Sequence, residues 1–166
     1  MTASKYLSPA KINLFLHITS KRADGYHNLQ TIFQLLDFCD EISFWVRDDG
    51  KINRIKGNEA IAADDDLIIK SARALKKYSA SSLGVDISID KKIPAGGGLG
   101  GGSSNAATVL LALNELWHLN LDERTLLEIA QTLGADVPVF VSGKSAWAEG
   151  IGDILEPIDL PKYYYL

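Results

Sequence analysis

Residues 94–105 read Pro-Ala-Gly-Gly-Gly-Leu-Gly-Gly-Gly-Ser-Ser-Asn, and six of the nine residues at 96–104 are glycine. Each glycine brings backbone freedom that folding must remove, so a cluster of this size inside a folded domain needs a reason. Chemistry offers an anion. Glycine adopts positive φ and lets a ligand approach the main chain closely. A helix that follows adds the unpaired N–H groups of its first turn and the positive end of its dipole. Phosphate suits such a cradle; a flexible linker or a plain tight turn is the lesser alternative. Gly96, Gly98 and Gly101 fit the G-x-G-x-x-G dinucleotide pattern. That site wants an acid at a strand end about 20 residues on, but Glu115 falls inside the following helix and Asp122 in the next loop. Gly97 and Gly102 have the spacing of the other common phosphate loop, yet Ser103 stands where its lysine belongs.

Four further places carry polar chemistry. Lys11 and Asn13 lie in an alternating segment at 10–19, where Ile12, Leu14, Leu16 and Ile18 take one face and Lys11, Asn13, Phe15 and His17 the other. A solvated outer face is the commoner fate of such a lysine. Tyr26 and His27 leave a polar loop whose Asp24-Gly25 signals a turn. Together they can stack on a ring and bond its edge, or simply pack on the next strand. Lys91 and Lys92 precede the glycine run, placed to meet phosphate or nucleotide or merely exposed. Asp136 is a lone acid between Ala135 and the apolar residues 137–140. A carboxylate there must be paired or do work. Capping a short helix that begins with Pro138 is the plainer reading and is compatible with the other.

The elements that must position these groups follow from pattern. Short strands are expected at 5–7 and 10–19, then strands at 31–38 and 41–46 joined at Cys39-Asp40, and a shorter one at 51–55. Asp64, Asp65 and Asp66 suit the start of a helix at 67–78 better than a metal site. A strand at 85–90 leads into the glycine run. An apolar helix follows at 106–117, with Ser103, Ser104 or Asn105 as its cap. A helix at 121–132 capped by Asp122 ends at Gly134, and a strand at 145–149 precedes a turn at 150–153.

Composition limits the partners. A length of 166 residues with 46% hydrophobic content describes about one globular domain with a real core. A net charge of −4 argues against a general nucleic-acid or anionic-membrane surface. Cys39 is the only cysteine, so no internal disulfide forms and a reducing, cytoplasmic setting is expected. No apolar run reaches membrane-spanning length.

Four separated motifs, in order along nearly the whole chain, carry a resemblance. The run Pro94-Ala95-Gly96-Gly97-Gly98-Leu99-Gly100 resembles the phosphate loop of the GHMP kinases, P-x-x-x-G-L-G before a helix. Pro9-Ala10-Lys11-Ile12-Asn13-Leu14, Arg22-Ala23-Asp24-Gly25-Tyr26-His27 and Gly134-Ala135-Asp136-Val137-Pro138 resemble one branch of that family. The resemblance implies an α+β fold, the GHMP kinase N-terminal domain (ribosomal protein S5 domain 2-like), with a mixed or antiparallel sheet packed on helices. It implies that this domain covers residues 1–160, and that 161–166 begin a strand leading to a C-terminal domain the chain lacks. The fragment is then expected to expose apolar surface and to bind weakly or be inactive alone.

The activity implied is transfer of the γ-phosphoryl group of ATP, with Mg²⁺, to the 2-hydroxyl of a cytidine diphosphate-linked methylerythritol. That reaction belongs to the non-mevalonate route to isoprenoid precursors. By the same resemblance Asp136 is the general base, and Lys11 partners it and stabilises the developing alkoxide. ATP is held by Lys91, Pro94, Ala95, Gly96, Gly97, Gly98, Leu99, Gly100, Gly101, Gly102, Ser103 and Ser104. The small-molecule acceptor is held by Asn13, Tyr26, His27 and Phe33. In many relatives two serines directly follow G-L-G; here Gly101 and Gly102 hold those places, and no Mg²⁺ ligand is assigned. Two alternatives stay open: another small-molecule kinase of the family, of the mevalonate or homoserine type, and a non-catalytic nucleotide-binding module.

Overall fold

The computed structural model describes residues 3–57, 59, 61–78 and 82–160; the strand expected at 161–166 lies outside them. Six strands form one sheet: β1 (Ser4–Lys21), β2 (His27–Arg47), β3 (Ile52–Lys56), β4 (Gly84–Asp90), β5 (Ala146–Glu149) and β6 (Ile154–Pro157). Among the described residues four α-helices accompany it: α1 (Leu67–Lys76), α2 (Gly101–Leu116), α3 (Glu123–Leu133) and α4 (Val137–Ser142). The sheet order is β3-β4-β2-β5-β6, with β1 along the other edge of β2. All pairings are antiparallel except β3 with β4, so the sheet is mixed.

The expected breaks within the first two strand regions do not occur. Residues 5–7 and 10–19 are one strand, β1, and the expected join at Cys39-Asp40 is the interior of β2. An acid read as a turn residue is fully buried here. Its partners, described below, remove the reason for the chain to turn outward. Strand β6 follows the turn at 150–153 and pairs with β5.

The alternation expected in β1 breaks midway. Lys11 pairs with Leu35 and Asn13 with Phe33, but the next partners are Leu16 and Thr31, then Ile18 and Leu29. Leu14 and Phe15 together oppose Ile32, so a bulge inserts one residue and reverses the alternation. Asn13, Leu16 and Ile18 therefore share a face, and Phe15 and His17 point the other way, where Phe15 meets Trp147 at 5.6 Å between ring centroids. Expectation and structure part at Lys11 too: it is 5% exposed, while Leu14, Leu16 and Ile18 are 44%, 51% and 63% exposed.

The core lies between the sheet and helices α1 and α2. Ile42, Phe44, Val85 and Ile87 from β2 and β4 face Ile68, Ala72 and Leu75 of α1 and Val109, Leu110 and Leu113 of α2. Helix α1 starts where its acids imply: the Asp66 carboxylate accepts the Ile68 amide and pairs with Arg54 at 2.5 Å. Helix α3 starts on Asp122, which accepts the Thr125 amide at 2.9 Å. Phe44 is 1% exposed and meets Tyr6 edge to face. Phe44→Ala is expected to lower unfolding free energy by about 4 kcal/mol, read as a fall in the urea midpoint.

Candidate functional site

The glycine run lies between β4 and α2. It is exposed from Pro94 to Gly98, and Gly96, Gly98 and Gly100 all have φ between +70° and +76°. Helix α2 begins at Gly101, five residues before the expected 106, and its N-cap is Gly100, with no side-chain cap. Neither serine nor Asn105 caps it. The first-turn amides are thus left without a side-chain partner, which an anion site requires. Beside the run is a cleft of about 370 Å³ whose lining includes Lys91, residues 94–103 and Asn105. Ile61, Asp66, Leu67 and Ile89 complete the lining, apolar apart from the helix-capping Asp66, and sequence reasoning did not place them there.

Lys11 lies directly behind the end of the run. Its amide donates to the Leu99 carbonyl at 2.9 Å. A Cβ on Gly100 would stand 3.1 Å from Lys11 Cγ and 2.8 Å from Phe140 Cζ, so this glycine is required by contact as well as by φ. The Lys11 ammonium is 3.2 Å from Asp136 Oδ2, donates to Asn13 Oδ1 at 2.6 Å, and sits 5.1 Å from the Phe33 ring centroid. Asn13 is fixed in turn by donating to Thr31 Oγ1 at 2.8 Å, and Thr31 donates to the Phe15 carbonyl. Asp136 is the residue before α4, but its side chain makes no capping hydrogen bond. The capping role open in the sequence is not taken, and the carboxylate faces Lys11 with its side chain 36% exposed.

Two proposed ligand-binding residues are placed otherwise than expected. Ser104 is fully buried, its hydroxyl 2.8 Å from Ser8 Oγ, away from the cleft. Ser103 does line the cleft. Phe33 is 2% exposed, so its ring supports Lys11 and leaves almost no surface for a ligand. Tyr26 is 60% exposed at the β1–β2 turn, held by its amide to Asp24 Oδ1 at 3.1 Å. It lines a second cavity of about 350 Å³ together with Gly134, Ala135 and Pro138, the flanks of Asp136. His27 shares a β2 face with Leu29, Thr31 and Phe33.

Sequence reasoning missed Asp40. Its carboxylate accepts from Lys91 Nζ (2.5 Å), Asn105 Nδ2 (2.9 Å) and the amides of Lys92 (2.7 Å) and Ile93 (2.8 Å). Burial by itself pushes this carboxyl up, but the Ile93 amide, Lys91, Asn105 and the Lys92 amide together outweigh burial and hold it below the usual carboxylate range. The signal was available: Asp40, Ile42 and Phe44 alternate in step, which puts all three on the buried face.

Residues 66–144 match the family described as GHMP kinases N terminal domain. A crystal structure of 4-(cytidine 5'-diphospho)-2C-methyl-D-erythritol kinase superposes with a TM-score of 0.84 at 39% identity, covering 95% of this chain and 56% of that one. Mevalonate kinase of Methanococcus jannaschii shares the fold, with a TM-score of 0.66 at 15% identity, over 95% of this chain and 56% of its own. The chain carries the N-terminal domain fold of the GHMP kinases. It is 59% identical over 164 residues to 4-diphosphocytidyl-2-C-methyl-D-erythritol kinase of Ruthia magnifica subsp. Calyptogena magnifica. It is 55% identical over 160 residues to the enzyme of that name from Burkholderia mallei. These matches take in 99% and 96% of this chain but 58% and 55% of the relatives, so the chain spans a little over half their length.

Two measurements check the site's physics. Gly100→Ala is expected to cost about 2 kcal/mol of stability, from the strained φ and the contact with Phe140, read by calorimetric unfolding. Because the Asp40 carboxyl is held low, its stabilisation is complete above the ordinary carboxylate range, about pH 4, and is lost as pH falls through its folded value. Urea unfolding from pH 7 to 3 is therefore expected to show the wild type and Asp40→Asn converging at the acid end.

Proposed function

We propose that this protein transfers the γ-phosphoryl group of ATP to the 2-hydroxyl of 4-diphosphocytidyl-2-C-methyl-D-erythritol, in the non-mevalonate formation of isoprenoid precursors. The observation that carries this reading is the Lys11–Asp136 pair, 3.2 Å apart, with the Lys11 side chain lying against Gly100 of the glycine run. A general base and a cation thus adjoin the place where a γ-phosphate would end.

In this reading the loop amides and the start of α2 cradle the β- and γ-phosphates. Asp136 takes the proton of the acceptor hydroxyl as its oxygen bonds to the γ-phosphorus, the β–γ bridging bond breaks and ADP leaves. Lys11 offsets the charge on the attacking oxygen, and Asn13 and Phe33 keep its ammonium in place. Among the described residues no three His, Cys, Asp or Glu side chains converge as a metal cage. Such a surface fits Mg²⁺ that arrives on ATP, since this ion keeps several waters and takes only one or two protein oxygens. Ser103 would supply one, and the ion neutralises phosphate charge.

The acceptor is extended. Six residues separate Phe33, beneath Lys11, from His27 at the hairpin end, about 20 Å along one strand face. Tyr26 at that end would stack on the cytosine and His27 bond its edge, with the reacting alcohol at Asp136. No described helix is long and apolar enough to cross a membrane, and we place the protein in the cytoplasm.

The test is Asp136→Asn. It is expected to lower kcat by about 10²-fold or more, with the KM for ATP within about threefold, since it removes the base and leaves the cradle. Equal turnover in wild type and variant would point to a nucleotide-binding module without this chemistry. Preference for homoserine or mevalonate in a panel of acceptors would replace the substrate.

A further inference from the structure

The cradle has little structure of its own. Among the loop glycines a Cβ on Gly96 or Gly98 would meet nothing within 4 Å. Its shape must come from its two ends. Both ends meet at one buried carboxylate: Lys91, Lys92 and Ile93 lead into the run, Asn105 follows it on α2, and all four donate to Asp40. Asn105 also donates to Ser8 Oγ at 2.9 Å, which continues the network to Ser104 on α2.

The charge on Lys91 makes this arrangement more than a clamp. A Cβ on Gly101 would stand 3.3 Å from Lys91 Nζ, so the ammonium lies against the first residue of α2. A cation there opposes the helix dipole. Asp40 behind it offsets that repulsion, and Asn105 Oδ1 accepts a second N–H at 3.0 Å. An ammonium has three N–H donors. Two are fixed by Asp40 and Asn105, and the side chain is 28% exposed on the wall of the cleft.

We infer that Asp40 is a positioning residue of the nucleotide site: it ties the two ends of the phosphate loop together and turns Lys91 so that its remaining donor faces the phosphates of ATP. This deepens the kinase reading and rests on it for the identity of the ligand; the clamp itself does not need that reading. Asp40 touches no ligand and acts through Lys91 and the loop amides.

The test uses three forms of the full chain: wild type, Asp40→Asn, and the swap Asp40→Asn with Asn105→Asp. Asp40→Asn turns an amide N–H₂ towards Lys91 Nζ and Asn105 Nδ2, setting donors against donors. The swap keeps the charge and relieves the clash: Asn at 40 keeps an oxygen for the Lys92 and Ile93 amides and donates its N–H₂ to Asp at 105, and Lys91 turns from position 40 to that carboxylate. The serine hydroxyls can reverse to suit. Hydrogen exchange of the bonded amides that frame the loop, those of Lys11, Ile93 and Ser104, without nucleotide, is expected to quicken at least tenfold in Asp40→Asn and to return within threefold of wild type in the swap. The KM for ATP is expected to follow the same course, up tenfold or more and then restored, while the KM for the acceptor alcohol stays within twofold. Should Asp40→Asn fail to fold, the swap carries the test alone: it must fold and match wild type in exchange and in KM for ATP. Unchanged exchange and KM in Asp40→Asn would overturn the inference. So would a swap that regains thermal stability but not ATP affinity, since that marks a purely structural carboxylate. If wild type binds no Mg-ATP, the kinase reading fails, and the exchange data decide the clamp alone.

Discussion

Main-chain amides can hold a phosphate only if nothing else in the protein satisfies them. A segment that keeps its amides free cannot build a helix or a strand, so it must be held from outside. The chain from Pro94 to Gly100 lives under that constraint. Its anchors are the Leu99 carbonyl on the Lys11 amide, the wedge of Gly100 between Lys11 and Phe140, and the buried Asp40 carboxylate on both flanks. The anchors come from β1, β2 and α4, segments far from the run along the chain.

The same economy of position governs the chemistry. Lys11 is buried on a strand whose Leu14, Leu16 and Ile18 are exposed, the reverse of the usual division. Its charge is tolerable there because Asn13, Asp136 and the Phe33 ring surround it. Asp136 in turn stands at the start of a six-residue helix yet leaves the helix uncapped. That terminus gives up a hydrogen bond worth about 1 kcal/mol, and a carboxylate is left free to face an ammonium. Local stability has been traded for geometry at the residues where chemistry is expected, the pattern typical of functional sites.

How much of this was legible before folding differs from element to element. Helices α1 and α3 and strands β3, β4 and β5 declared themselves, because their caps and their alternation are local properties of a few residues. The length of β1 and β2 was hidden: Pro9, Cys39 and Asp40 look like interruptions until their partners across the sheet are known. The bulge at Leu14-Phe15 was invisible for the same reason, since two residues opposing one is a property of a pair of strands. Asp40 was misread as a turn residue because its four donors lie more than 50 residues away.

The sequence by itself determined where the glycine run lies, between a strand and a helix, the setting in which an anion is the expected guest. It also marked Lys11 and Asp136 as residues needing an explanation, and the resemblance paired them. Only the tertiary structure decided that they meet at the end of the cradle, that Ser104 turns away from it, and that a buried acid on the longest strand joins its two ends. Those outcomes depend on register, burial and through-space charge, which arise between distant segments and leave no mark in local spacing.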